Sequence, residues 1–408
     1  MATIKIPKDW QWVKLGDECE FTQGIQVDIE KQKFEKFENS VQFLRIIDFT
    51  QVNEPPRYIE NPGERYILNK NEIAMVRYGT VGFVCINKIG AIANNLFKIN
   101  PSKNIYPKYL INFFNSLLFR SKLETKGATM QALSFGLIKP IPLPLPPLET
   151  QQAIVSKIEE LFSELDKGIE DLKTAQQQLK TYRQSVLKWA FEGKLTNENV
   201  IDGELPRGWI EIEIKNICEN IKVGIVIKPT NFYSKDNSGI KAFRSANVRE
   251  FLINDSNWVY FTEESNEINY RTKLKEGDVL LVRSGYPGTS CVVSKKFEGC
   301  NAIDILIATP NKEKILPQYL CFFNNSPLGK GMFKDKSRGV AQKHLNVGEY
   351  SKLKINIPSL DEQHLIVQEI ESRLSVADKM EESIAQSLQQ AEALRQSILK
   401  KAFSGQLI

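Results

Sequence analysis

The sequence predicts an α+β fold in which two similar globular units are joined by two long antiparallel coiled-coil helices, with an approximate two-fold axis between the halves. Three observations carry this expectation. A long segment occurs twice in one unbroken register, both copies hold a seven-residue apolar repeat, and each copy has a proline-rich entry and a glycine exit.

The repeat sets the organisation. Pro146-Pro147-Leu148-Glu149-Thr150-Gln151-Gln152-Ala153-Ile154-Val155 returns as Pro358-Ser359-Leu360-Asp361-Glu362-Gln363-His364-Leu365-Ile366-Val367. The same offset still holds where Arg183-Gln184-Ser185-Val186-Leu187-Lys188 meets Arg395-Gln396-Ser397-Ile398-Leu399-Lys400. Upstream the copies drift: Pro7 and Trp10 echo Pro206 and Trp209, Arg77-Tyr78-Gly79-Thr80-Val81-Gly82 echoes Arg283-Ser284-Gly285-Tyr286-Pro287-Gly288, and Pro107-Lys108-Tyr109-Leu110 echoes Pro317-Gln318-Tyr319-Leu320. Each half is therefore a diverged globule followed by a well-kept tail, with divisions at 1–147, 148–196, 197–357 and 358–408.

The first globule mixes short β-rich runs such as Glu72 to Val76 with helical stretches such as Tyr109 to Leu118. Pro140, Pro142, Pro144, Pro146 and Pro147 then hold the chain extended, because proline lacks an N–H and disfavours helix before it. Helix can start only beyond them. From there Ile158, Leu165, Leu172, Leu179 and Val186 recur every seven residues, with Leu161, Ala175 and Tyr182 alongside, which is a coiled-coil seam. Gly193 supplies a left-handed cap. The second globule repeats the pattern with Asp278 to Val282 and Tyr319 to Phe323. In the second tail Ile370, Ala377, Ile384, Ala391 and Ile398 keep the spacing, Met380 and Leu394 flank it, and Gly405 closes. About forty residues at 1.5 Å each make a rod of roughly 60 Å.

Connection lengths orient the parts. Only a short link separates Gly193 from the second globule, so that globule sits at the far end of the first rod. The second rod buries its stripe on the first by running back, which makes the rods antiparallel. Two like modules facing opposite ways suit a ligand of the same symmetry, and duplex DNA has local two-folds across its axis. A bipartite site with two unlike halves follows. Apolar residues near the rod ends, Trp189, Phe191 and Phe403, are expected to support partner subunits.

Composition excludes several classes. With 42% hydrophobic and 25% charged residues among 408, collagen-like and wholly disordered readings fail, and the length asks for more than one domain. No run approaches the ~18 apolar residues of a membrane helix, and Met1 to Pro7 lacks a signal-peptide core, which points to a cytoplasmic chain without a membrane. Six scattered cysteines form no CxxC pair, so neither zinc nor a disulfide framework is suggested. Two histidines, His344 and His364, leave little for metal sites or histidine-dependent triads. A net charge of +5 is compatible with a polyanion but too mild to identify one.

Arg77 and Arg283 each stand at the end of a strand before Gly-x-x-Gly. Such a turn lets backbone approach a phosphate while arginine reaches a phosphate or a guanine edge. The competing reading is a plain β-turn with a surface arginine. Tyr78, Tyr286, Arg45, Arg244, Arg249, Arg338 and Lys343 complete the candidate DNA contacts, among interleaved basic and aromatic residues that include Arg57, Arg65, Lys295 and Lys296. For any single one, a solvated surface charge competes. Gln131, Gln342 and Asn247 have amides able to read adenine, but no spacing selects them. Neither GxxxxGK[ST] nor GxGxxG occurs, so nucleotide binding has no visible site.

With the paired tails in hand, the whole chain resembles a specificity (S) subunit of a type I restriction-modification system. The resemblance rests on Pro142-Leu143-Pro144-Leu145-Pro146-Pro147-Leu148-Glu149-Thr150-Gln151-Gln152 leading into a coiled coil and on Arg183 to Lys188 with Ala190, Phe191 and Gly193, each returning in the second half. It departs at Ser359, Asp361 and Lys401. It implies two target recognition domains, each reading one half of a bipartite double-stranded DNA site, and helices that set the spacer and dock two modification (methyltransferase) subunits. Restriction/translocase subunits are the further partners. The resemblance implies no catalysis and no cofactor in this chain, with S-adenosylmethionine, ATP and Mg on the partner subunits. A fused bifunctional enzyme and a scaffold binding only proteins are the alternatives. The absence of an Asn/Asp-Pro-Pro-Tyr/Phe motif and of a helicase P-loop disfavours the first.

Overall fold

The computed structural model describes residues 5–51, 53–124, 132–197, 199–201, 203–236, 238–335 and 345–408. The chain divides into two units, one made of Met1–Lys173 with Ala385–Ile408, the other of Thr174–Ile384. The two long helices expected from the heptads are Leu148–Phe191 and Leu360–Ala402.

In the first unit, a four-stranded antiparallel sheet runs in the order Cys19–Gln23, Leu96–Pro101, Ile73–Val76, Val84–Cys85. A second sheet orders Arg57–Glu60, Ser40–Leu44, Gly90–Ile92 and Ile67–Leu68, with a parallel pair in its middle. The extended, proline-rich Pro142–Leu145 pairs with Gln11–Lys14 as a two-stranded ribbon. Proline is tolerated there because both strands are edges, where a missing N–H costs no second ladder. Helices Pro107–Asn115 and Leu117–Glu124 come between Leu96–Pro101 and Pro142–Leu145 along the chain, the first opening on proline at its first turn.

The second unit repeats this plan. Its four-stranded sheet is Cys218–Val223, Ile305–Pro310, Val279–Val282, Ser290–Val292; its second sheet has three strands, Val259–Phe261, Ile240–Phe243 and Asn301–Ala302; and Ile210–Glu213 pairs with Lys354–Ile357. The Gly-x-x-Gly turns thus follow the inner strands Ile73–Val76 and Val279–Val282, whose residues are all buried.

Within each unit the start of one long helix meets the end of the other. In the first, Ile154, Val155 and Ile158 share a core with Ile398, Leu399, Ala402 and Phe403. In the second, Val186, Leu187, Ala190 and Phe191 share one with Ile366, Ile370 and Leu374. The pairing is antiparallel in both. Matched ion pairs fix its register: Arg395 bonds Asp166 and stacks on Phe162 at 4.5 Å, while Arg183 meets Asp378 at 2.6 Å and Glu381 at 3.0 Å. Met380 and Leu394, expected beside the seam, stand off it at 52% and 51% exposure.

The helix exits differ from expectation in one respect. Phe191 and Phe403 do not project for partner subunits; they are 2% and 0% exposed. Phe191 packs edge-to-face on Tyr319 and Phe323, with centroids 5.1 and 5.5 Å apart, and Phe403 does the same on Tyr109 and Phe113 at 5.1 and 5.4 Å. Burial of such a ring contributes about 2 to 3 kcal/mol, and the cause of the misassignment is that each helix end plugs the globule beside it. Trp189 does stay exposed, at 39%. The glycine stops hold as expected: Gly193 and Gly405 have φ of +76° and +71°. A Cβ on them would meet Pro206 at 2.1 Å and Pro7 at 2.3 Å, so these glycines also allow close approach of the prolines that begin each globule.

A buried glutamine seats each helix start. Gln151 accepts from the Tyr106 N–H at 2.8 Å and donates to the carbonyls of Asn104 and Pro146 at 2.8 and 2.9 Å. Gln363 accepts from Leu316 at 3.0 Å and donates to Lys314 and Pro358 at 3.0 and 3.1 Å. Replacing Gln151 by leucine strands three backbone groups, one buried and two partly buried, and should destabilise the first unit by about 2 to 3 kcal/mol, against about 0.5 kcal/mol or less for Gln152→Leu on the exposed face. Urea unfolding of the two variants measures the difference.

Candidate nucleic-acid interface

The two turns after the inner strands are held at their base by arginine. Arg77 donates from Nε to the Leu133 carbonyl at 3.2 Å and from Nη1 to the Asn94 carbonyl at 3.2 Å. Arg283 donates from Nε to the Leu345 carbonyl at 3.0 Å and pairs through Nη1 with Asp304. Leu133 and Leu345 return bonds to the arginine carbonyls at 3.0 and 3.1 Å. Both arginines therefore clip the strand end to the segment entering the ribbon, and their forks are directed into the fold.

The second glycine of each turn has a packing reason. A Cβ on Gly82 would stand 2.6 Å from Leu123, and one on Gly288 would stand 2.1 Å from the Phe333 ring. Gly79 and Gly285 meet nothing and serve only the positive φ. What the turns present outward is aromatic: Tyr78 is 49% exposed and Tyr286 83%.

A second pair of loops follows the parallel-paired strands. Arg45 caps the helix Ile46–Thr50 and forms a bidentate pair with Asp48, both bonds 3.0 Å, with Glu54 at 3.3 Å. Its counterpart Arg244 caps the turn Ser245–Asn247, and Arg249 lies beyond, donating to the Val248 carbonyl at 2.9 Å. Asn247 is not available to a base: it is fully buried, accepting from the Arg244 N–H and donating to Asn254 and Ser256. Arg338, Lys343, Gln131 and Gln342 lie outside the described residues. Of the other basic residues, Arg57 stacks on the Phe34 ring at 3.7 Å, and Lys296 joins Lys241 and Trp258 around Asp255. These three donors, Lys241 foremost, hold the Asp255 carboxyl well below its usual range.

Sequence reasoning missed a feature that both units share. A cleft of about 620 Å³ in the first unit is lined by Ile111, Ile158, Glu159, Phe162 and Asp166, and one of about 520 Å³ in the second by Cys321, Glu371, Phe322, Leu374 and Asp378. The lining positions correspond along the repeat. Each has an apolar floor and a rim of mixed charge, with Lys108 and Lys167 among the acidic residues of the first and Arg183 among those of the second. Burial pushes the thiols of Cys85 and Cys218 up to about 12. Among the described residues no helix is long and apolar enough to cross a membrane, and no cluster of His, Cys, Asp or Glu is arranged to hold a metal.

The clip predicts a local effect. Arg283→Ala should cost about 1 to 3 kcal/mol, since it leaves a buried carbonyl and Asp304 without their partner. Amide hydrogen exchange at Leu345 should accelerate while the Gln363 region stays protected. Unchanged exchange at Leu345 would remove the clip.

Comparison with known proteins fits this duplicated plan. The family model described as the type I restriction modification DNA specificity domain matches twice, at residues 7–174 and 206–392. The specificity subunit of the type I restriction enzyme EcoBI of Escherichia coli is 26% identical, over 99% of this chain and 87% of its own. A chain solved in a study of complex assembly and conformational transition of the type I R-M system superposes with a TM-score of 0.76 at 18% identity, covering 98% of this chain and 99% of that one. The HsdS subunit of Thermoanaerobacter tengcongensis superposes at 0.60 with 17% identity, covering 99% of both. A twofold match across most of the sequence, on a fold that repeats its plan of sheets, ribbon and long helix, means that this chain belongs to the type I restriction modification DNA specificity family.

Proposed function

We propose that the chain is the specificity subunit of a type I restriction-modification complex, in which each unit reads one half of a bipartite, asymmetric duplex site. The observation that carries this reading is the presence of two matched specificity domains with like frameworks and unlike loops. A shared framework positions both readers alike, while the loops differ: Thr80 and Val81 stand between the turn glycines of the first unit, Tyr286 and Pro287 between those of the second, and Arg45 is paired with Asp48 where Arg244 has Asn247.

Within each unit one ion pair, Arg395 with Asp166 or Arg183 with Asp378, sets the register of the two helices. The spacer of the DNA site is the quantity we assign to helix length. Two modification subunits dock per chain: the equivalent clefts, one per unit, offer the same surface twice to the same partner. Restriction/translocase subunits join that core. The chain itself supplies recognition and no bond-making step. S-adenosylmethionine belongs on the modification subunits and ATP with Mg on the restriction subunits, all in the cytoplasm with the DNA.

Methylome sequencing of a host carrying the system tests the reading. The expected result is one split asymmetric motif that disappears when this chain is deleted. Four residues inserted between Leu172 and Leu179, with four more between Ile384 and Ala391, should lengthen the gap by nearly two base pairs, from about 6 Å of added helix at about 3.4 Å per pair, and leave both half-sites unaltered. Co-expression with the modification subunit should give a mass of two modification subunits per chain; another ratio would rule out the paired clefts as equivalent docking sites.

A further inference from the structure

Arg45 and Arg244 occupy the same place in the two units. Each ends a strand that pairs in parallel with its neighbour, Phe43 opposite Ala91 and Ala242 opposite Asn301, and each donates its backbone N–H to the side chain three residues on. That side chain is Asp48 in the first unit and Asn247 in the second. The difference reaches the guanidinium.

In the first unit Nε of Arg45 bonds Asp48 Oδ2, Nη2 bonds Oδ1, and Glu54 adds a second carboxylate. The charge is cancelled where it stands. In the second unit Asn247 Oδ1 stands for Oδ2 and accepts the Arg244 N–H, while the amide nitrogen stands for Oδ1, the partner of Nη2, and donates to the Asn254 and Ser256 carbonyls. Nε of Arg244 is buried and has no acceptor. Nη2 of Arg244 reaches only the Asn257 carbonyl, and Arg249 only the carbonyls of Ser245 and Val248. Among the described residues neither cation has a carboxylate partner, and Glu250 pairs with Lys330.

We propose that the loop Arg244 to Arg249 is a phosphate-binding site of the second unit, with no counterpart in the first, and that its natural ligand is the DNA backbone. The inference rests on the duplex-reading function proposed above and adds an asymmetry to it. Two guanidiniums held by backbone carbonyls keep full charge, are pre-positioned, and have donors left for an anion. In the first unit the same lever is spent on Asp48, so its hold on DNA is less ionic.

The test uses the full chain in its complex with the modification subunits and measures duplex affinity over a series of KCl concentrations. Arg244→Gln should reduce the slope of log affinity against log salt by ~0.9, the loss of one phosphate contact, on target and scrambled duplex alike. Asn247→Asp, which restores the first unit's pair, should reduce it equally. Arg45→Gln should lower the melting temperature and leave the slope unchanged. Melting curves show which variants fold, and Arg244→Gln sacrifices only one hydrogen bond, so it decides alone if Asn247→Asp unfolds. An unaltered slope in Arg244→Gln, or an equal loss in Arg45→Gln, overturns the inference. Loss of stabilisation by inorganic phosphate without a change in duplex slope would assign the site to a free anion and also overturn it. A wild-type complex without salt-dependent duplex binding overturns the functional reading itself, and this inference with it.

Discussion

Every level of the structure depends on how the helix ends are buried. Phe191 ends its helix and Phe403 directly follows the other, and each inserts its ring into the aromatic core of a globule rather than into the seam. The seam alone would be a weak joint, because two helices can cover only one face of each other and Leu165, Leu172 and Leu179 remain half-buried. With the rings seated, the glycine and proline behind them lock, and the glutamines at the opposite ends hold the incoming helices. Recognition then becomes a matter of loops on a rigid base, which is the arrangement that lets loops diverge at little cost to stability.

The same base explains why the Gly-x-x-Gly arginines are turned inward. Arg77 and Arg283 tie two distant segments together, some sixty residues apart in the case of Arg283 and Leu345, and so stiffen the turn that follows each strand. Outside the clip the turns expose aromatic side chains, Tyr78 and Tyr286.

Much of this was legible in the sequence. The unbroken offset gave the duplication, the heptads and prolines gave the helices, and Gly193 and Gly405 gave their ends, since those signals are local or periodic. The pairing of Pro142–Leu145 with Gln11–Lys14 was not legible, because strand partners are non-local. Phe191 and Phe403 were misread for a related reason: a helical period says which residues share a face and is silent on what covers that face. Arg45 and Arg244 look alike as letters. Only the geometry of Asp48 and Asn247 separates a cancelled charge from a retained one. The matched clefts were invisible because their residues come from helices far apart in the chain.

The first unit is assembled from two separated stretches, whereas the second is one continuous stretch. On a ribosome this reverses the expected order. Thr174–Ile384 can close as soon as it has emerged, but Met1–Lys173 must wait, with the space for Phe403 unfilled, until Ala385–Ile408 have been made. The half synthesised first is the half completed last, through contacts of very high sequence separation and so by a slow step. A message cut short within its final stretch would release a chain whose second reader is whole and whose first is open, with Tyr109 and Phe113 uncovered for the quality-control machinery of the cell.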